Sequence, residues 1–123
     1  MRDFFIEKSW NHIGFPCVQI LVLHTELDGT GLGRGHRCGY VGVPVGHILY
    51  GRDYSSPDID VHGGLTYSNK NAGYPDPDNK DNIWWFGFDC AHYNDTLESC
   101  DALYVELECL KLAEQLANYK ENK

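Results

Sequence analysis

The apolar positions fall into short alternating runs in the first three-quarters of the chain and into a helical repeat in the last quarter. Cys17–Leu23 is apolar and rich in β-branched residues, which predicts a strand. Asp28–Gly35 has four glycines in eight positions and reads as a loop or hairpin. Gly39–Val43 is a short strand closed by Pro44, and 46–58 mixes Gly, Pro, Ser and Tyr in the manner of an irregular loop. Ile59–Tyr67 reads as a strand interrupted by Gly63 and Gly64. Ser68–Asn82 reads as a long surface loop, and Ile83–Asp89 is the clearest strand signal in the chain. Asp95-Thr96-Leu97-Glu98 has capping-box spacing and predicts a helix from about Leu97 to Asn118. Along it Leu103, Leu107, Leu110, Ala113 and Ala117 form a stripe assigned to the core. These elements predict an α+β fold: a small twisted antiparallel sheet with one long C-terminal helix packed on a face.

The 123 residues correspond to a single domain, 1–123, with one core. A content of 42% hydrophobic and 23% charged residues is ordinary for a globular chain. The net charge of −8 argues against a nucleic-acid coat or an anionic membrane surface as partner. A few well-placed donors still suffice for a local phosphate site. The first residues carry acids too early for a signal peptide, and the longest apolar run, Ile20–Leu23, is too short to span a bilayer. Cys17, Cys38, Cys90, Cys100 and Cys109 are odd in number and contain no Cys-x-x-Cys pair. That pattern disfavours a disulfide scaffold and a zinc knuckle, and the cysteines read as buried small hydrophobes.

Candidate chemistry concentrates in two motifs, Asp60–Tyr67 and Trp84–Asp95. Strand alternation puts Asp60, His62, Gly64 and Thr66 on one polar face of the first. In the second, Trp84, Phe86, Phe88 and Cys90 form a core face, and Ile83, Trp85, Gly87 and Asp89 lie opposite. Pairing the polar faces would gather Asp60, His62, Thr66, Trp85 and Asp89 around a glycine floor of Gly64 and Gly87. One residue of slip reverses this arrangement. Asp89, His92 and Asp95 lie three apart, so one helical turn aligns them. The bland alternatives are an N-cap role for Asp95 and ordinary hydrogen-bonded positions for His62 and His92. His47, Tyr50 and Arg52 share a loop, and Arg52 or Arg37 could meet a phosphate or carboxylate. Asp58 and His47 join His62, Asp89, His92 and Asp95 as carboxylates and imidazoles compatible with a divalent metal. No motif requires a metal. Cys90 paired with His92 has no further support as a nucleophile.

Four stretches carry a resemblance. They are Cys38-Gly39-Tyr40-Val41-Gly42-Val43-Pro44 with Gly46-His47; Val61-His62-Gly63-Gly64-Leu65-Thr66-Tyr67-Ser68; Trp84-Trp85-Phe86-Gly87-Phe88-Asp89-Cys90-Ala91-His92; and Leu112-Ala113-Glu114-Gln115-Leu116. Together they resemble a family of small bacteriophage and prophage proteins, over most of the chain from Cys38 onward. The family pattern has Gly where Asn94 stands and Pro where Ile48 stands, and neither change removes a candidate polar group. The family supplies no activity to carry over. The resemblance implies a counter-defence role by analogy with small phage proteins that bind or destroy host nucleotide signals.

The expectation is therefore a phage protein in the host cytoplasm with a pocket for a small, nucleotide-like ligand, acting as a phosphodiesterase-like hydrolase. His62 and His92 would be acid and base, with Asp60 or Asp89 orienting an imidazole or helping to hold a metal. His47, Tyr50, Arg52, Arg37, Gly64, Thr66, Tyr67, Trp85 and Asp95 would line the ligand. The rivals are a non-catalytic sponge for the same ligand and a binder of a host protein through the acidic surface. A homo-oligomer is left open.

Overall fold

The computed structural model describes residues 2–24, 35–70, 83–92 and 95–119. The expected loop at Asp28–Gly35 lies outside these up to Gly35, as do residues 71–82 of the expected loop at Ser68–Asn82. Among the described residues the strands are β1 (Arg2–His12), β2 (Phe15–His24), β3 (Gly35–Pro44), β4 (Tyr67–Lys70) and β5 (Ile83–Asp89). The helix is α1 (Ala102–Ala117). The strands form one antiparallel sheet in the order β1-β2-β3-β5-β4, with α1 packed against β2 and β3. This is the expected α+β arrangement.

Strand alternation sorts the apolar residues into two layers. Cys17, Val41, Val43, Phe86 and Phe88 face the helix and pack with Val105, Cys109, Leu112, Ala113 and Leu116. Val18, Ile20, Val22, Cys38, Tyr40 and Trp85 form a second cluster on the opposite face. Gly39 lets the helix come close, because a Cβ there would lie 2.6 Å from Cys109 Sγ and from the Phe88 ring.

Four expectations are corrected. The first strand, β1, covers residues for which the pattern predicts no element. A register shift between Ile6 and Lys8 breaks its alternation, and Phe5 and Ile6 stay exposed. Residues 59–66 are not a strand. Ile59 and Val61 point into the core, but the backbone finds its partners on the helix. The Asp60 N–H donates to Gln115 Oε1 at 2.8 Å, Gln115 Nε2 donates to the Asp60 carbonyl at 2.7 Å, and the His62 N–H donates to Glu108 Oε1 at 2.8 Å. Pairing with β5 begins at Tyr67, opposite Gly87.

The helix starts later than the capping box suggests. Asp101 is its N-cap, accepting from the Tyr104 N–H at 2.9 Å. The Asp95 carboxylate is engaged elsewhere, and Thr96 and Ser99 close a separate turn by mutual hydrogen bonds. The core stripe is rotated as well. Leu103 and Leu107 are 63% and 52% exposed, Ala117 is exposed, and Val105, Cys109, Leu112 and Leu116 are buried with Ala113.

Candidate functional site

The end of β5 gathers four polar side chains from three short segments. Asp89 closes the strand and His92 follows three residues on. Asp95 stands just before the turn that leads to α1, and His62 sits in the turn at Gly63. His62 is held at both ring nitrogens. Nδ1 lies 2.8 Å from the Tyr104 hydroxyl, and Nε2 lies 3.0 Å from each Asp95 carboxylate oxygen. Asp95 also accepts the His92 N–H at 2.9 Å, so one buried carboxylate ties both histidine segments together. Burial alone would push the Asp95 carboxyl up. The hydrogen bonds from His62 and from the His92 N–H outweigh it and hold the group below its ordinary value.

The second pair is more open. His92 Nε2 lies 3.4 Å from Asp89 Oδ1, without hydrogen-bond alignment, and the His92 side chain is 40% exposed. Asp89 is fixed in turn by the Thr66 hydroxyl at 2.9 Å and by the Ala91 N–H at 3.1 Å. The two imidazoles are 5.9 Å apart, centre to centre. Gly63 makes that proximity feasible. Its φ is +68°, and a Cβ on it would collide with the His92 ring.

This contact yields a prediction. Gly63→Ala combines left-handed strain, about 1–2 kcal/mol, with displacement of His92. Gly64→Ala has the same backbone penalty at φ +78° but meets open space. Thermal melts are expected to show the larger loss for Gly63→Ala. Equal losses would mean that the His92 ring yields freely.

The structure brings His62, His92, Asp89, Asp95 and Thr66 together and takes the other candidates elsewhere. Asp60 is not with them: its side chain is 89% exposed and 3.5 Å from Lys111. Without a strand ladder at 59–66, the shared polar face does not form. Trp85 is buried at 3% exposure in the cluster behind the sheet. Tyr67 packs edge-on against Tyr40, 5.2 Å between centres, and the Tyr40 ring fills the space at Gly87. The anticipated glycine floor is therefore not open at Gly87, and Gly63 rather than Gly64 is the glycine that a neighbour requires.

His47 is a structural clasp. It accepts the Leu49 N–H at Nδ1, 3.0 Å, which leaves Nε2 to donate to the Leu116 carbonyl, 2.8 Å, at the end of α1. Tyr50 leans on Trp84, and Arg52 accepts the Trp84 indole N–H at its carbonyl. Arg37 is committed to Glu7 and to the carbonyls of Leu97 and Cys100, at 2.9, 3.2 and 3.1 Å. Its planar fork thus fastens β1 and the turn before α1, which removes it as a phosphate ligand. Asp58 is exposed, outside the cluster.

Two further residues join the cluster: Cys90, weighed above only as a nucleophile beside His92, and Cys100, read above as a buried small hydrophobe. Cys90 and Cys100 bring their thiols beside His62 and Asp95, and one donor atom from each of the four lies within 4.8 Å of the others. Burial pushes both thiols up, and the Asp95 charge adds to the effect. No spacing in the sequence signals this grouping, because Cys90, Asp95 and Cys100 lie five residues apart at each step, outside the usual zinc-ligand spacings.

No protein-family model matches the chain, and no curated protein or solved structure matches it. Among the described residues, no helix is long and apolar enough to cross a membrane.

Proposed function

We propose that the chain is a phage-encoded hydrolase of a small nucleotide-like ligand, acting in the host cytoplasm as a counter-defence factor. The observation that carries the catalytic part is the pair of imidazole–carboxylate contacts with rings 5.9 Å apart at one corner of the sheet. The roles divide by exposure. His62 has both ring nitrogens engaged, so it positions Asp95 and, through it, the backbone of His92. His92 is the more exposed ring, and its Nε2 faces Asp89 at 3.4 Å, a contact that would tighten into a carboxylate-oriented proton-transfer pair when a ligand binds. The ligand class rests on the resemblance to phage proteins.

Incubation with cyclic di- and oligonucleotides and ADP-ribose derivatives, followed by heat release, tests the reading. Degraded ligand is the expected outcome. Intact ligand recovered at one per chain would make the protein a sponge. A second reading, binding of a host protein, is favoured by the apolar outer face of α1, where Leu103 and Leu107 are exposed. It gains ground if no panel member binds and a host protein is retained through that face.

A further inference from the structure

We propose that His62 Nε2, the Cys90 and Cys100 sulfurs and one Asp95 carboxylate oxygen form a tetrahedral zinc site. This goes beyond the hydrolase reading and stands without it.

The donor set is the first argument. Two thiolates, an imidazole and a carboxylate suit zinc, which is borderline-soft and takes N, S and O ligands in fours. Harder ions such as magnesium and calcium prefer all-oxygen shells. The spacing is the second. Zinc bonds of roughly 2.0–2.3 Å at tetrahedral angles place donors roughly 3.3–3.8 Å apart. Here the His62 Nε2 to Cys100 Sγ distance is 3.8 Å, that from His62 Nε2 to Asp95 is 3.0 Å, and all four donors fall within 4.8 Å. Donors spread over as much as 4.8 Å close to that spacing by a movement of about an ångström, shared among four side-chain ends.

The surroundings are the third argument. A zinc-bound histidine commonly has its other nitrogen fixed, and His62 Nδ1 meets the Tyr104 hydroxyl at 2.8 Å. A ligating carboxylate is commonly hydrogen-bonded as well, and Asp95 accepts the His92 N–H. Cys90, Cys100 and Asp95 are 1%, 2% and 9% exposed, so water competes little. Two thiolates and a carboxylate leave a net −1 around a divalent ion, and Arg37, bonded to the Cys100 carbonyl, lies beside that charge. Binding releases the two thiol protons to solvent, and His62 ligates as a neutral imidazole with its ring proton on Nδ1, where it donates to the Tyr104 hydroxyl. Four protein ligands make a closed, structural site. It would tie the end of β5, the Gly63 turn and the segment before α1 into one knot, holding His92 two residues from a ligand.

The test uses the full chain and needs no organic ligand. Protein purified without chelator is expected to carry about one zinc per chain by elemental analysis. After chelation, added zinc should raise the melting temperature on the order of 10 °C at a hundredfold excess over Kd. Cobalt(II) in place of zinc should give a thiolate charge-transfer band and the intense visible bands of a tetrahedral ion. C90S and C100S should each weaken the charge-transfer band, and Cys17→Ala, in the core away from the cluster, should keep it. The proposal is overturned if wild-type apoprotein shows neither a zinc-dependent melting shift nor the cobalt band. It is also overturned if the band survives in the C90S/C100S double variant. Both wild-type readouts decide the matter even where a variant fails to fold. They are indifferent to whether the protein turns over any ligand.

Discussion

His92→Ala is expected to lower turnover by about 10²–10⁴-fold, the usual contribution of a positioned proton-transfer group. That corresponds to roughly 3–5 kcal/mol of barrier at 1.36 kcal/mol per tenfold. The fold should tolerate the change. The His92 side chain is 40% exposed, its contact with Asp89 is 3.4 Å and unaligned, and the hydrogen bond it contributes to Asp95 comes from the backbone N–H, which alanine retains. Loss of a partly exposed ion pair costs about 0–1 kcal/mol. The diagnostic pattern is therefore a melting temperature within a few degrees of wild type together with lost turnover. Asp89→Asn should give a smaller loss, because it disturbs orientation and leaves the imidazole in place. Turnover retained in His92→Ala would return the residue to a surface role.

His62→Ala is expected to behave in the opposite way. His62 and Asp95 are 20% and 11% exposed at the side chain, and alanine strips the Asp95 carboxylate of its ring partner while leaving it buried. Leaving a buried acceptor without one of its hydrogen-bond partners costs about 1–3 kcal/mol, more for a charged group, and the carboxylate places this loss near ~3 kcal/mol. At roughly 4 °C per kcal/mol for a chain of this size, the melting temperature should fall by on the order of 10 °C. The Tyr104 hydroxyl also loses its partner on Nδ1. His12→Ala is the control. The contact of His12 with Glu114 is 3.1 Å but exposed at 28% and 60%, so its loss should cost about 0–1 kcal/mol. Equal losses for the two variants would show that the buried pair has no special weight.

The contrast between these histidines was only partly legible in the sequence. Ile83–Asp89 was readable from end to end, because an aromatic run with an alternating core face fits a strand buried on both sides. Residues 59–61 also alternate, but alternation reports which side chains are buried and is silent about what the backbone bonds to. Gln115 and Glu108 satisfy it here, so the face argument that grouped Asp60 with His62 failed. The gathering of His62 with His92 came instead from the turn at Gly63. β1 was hidden because its register shift breaks the period of two and it leaves Phe5 and Ile6 in solvent.

On the helix, preference for leucine concealed the true core stripe. Val105 and Cys109 face the sheet where Gly39 permits close approach, and Leu103 and Leu107 turn outward. Arg37 looked like an anion ligand, since nothing local shows that Glu7, thirty residues away, is its partner. Cys90 and Cys100 were set aside because the familiar zinc spacings keep cysteines two to four residues apart, whereas these are joined by the fold around Asp95.

The proposed function requires a ligand to engage the corner formed by His62, His92, Asp89 and Asp95. It is tested most directly by following the histidine ring resonances of imidazole-labelled protein while each cyclic nucleotide and ADP-ribose derivative is added. A bound ligand is expected to move the His92 signals most and His62 next, leaving His12 and His47 in place. Binding that shifts His12 or His47 while His92 stays fixed would contradict it.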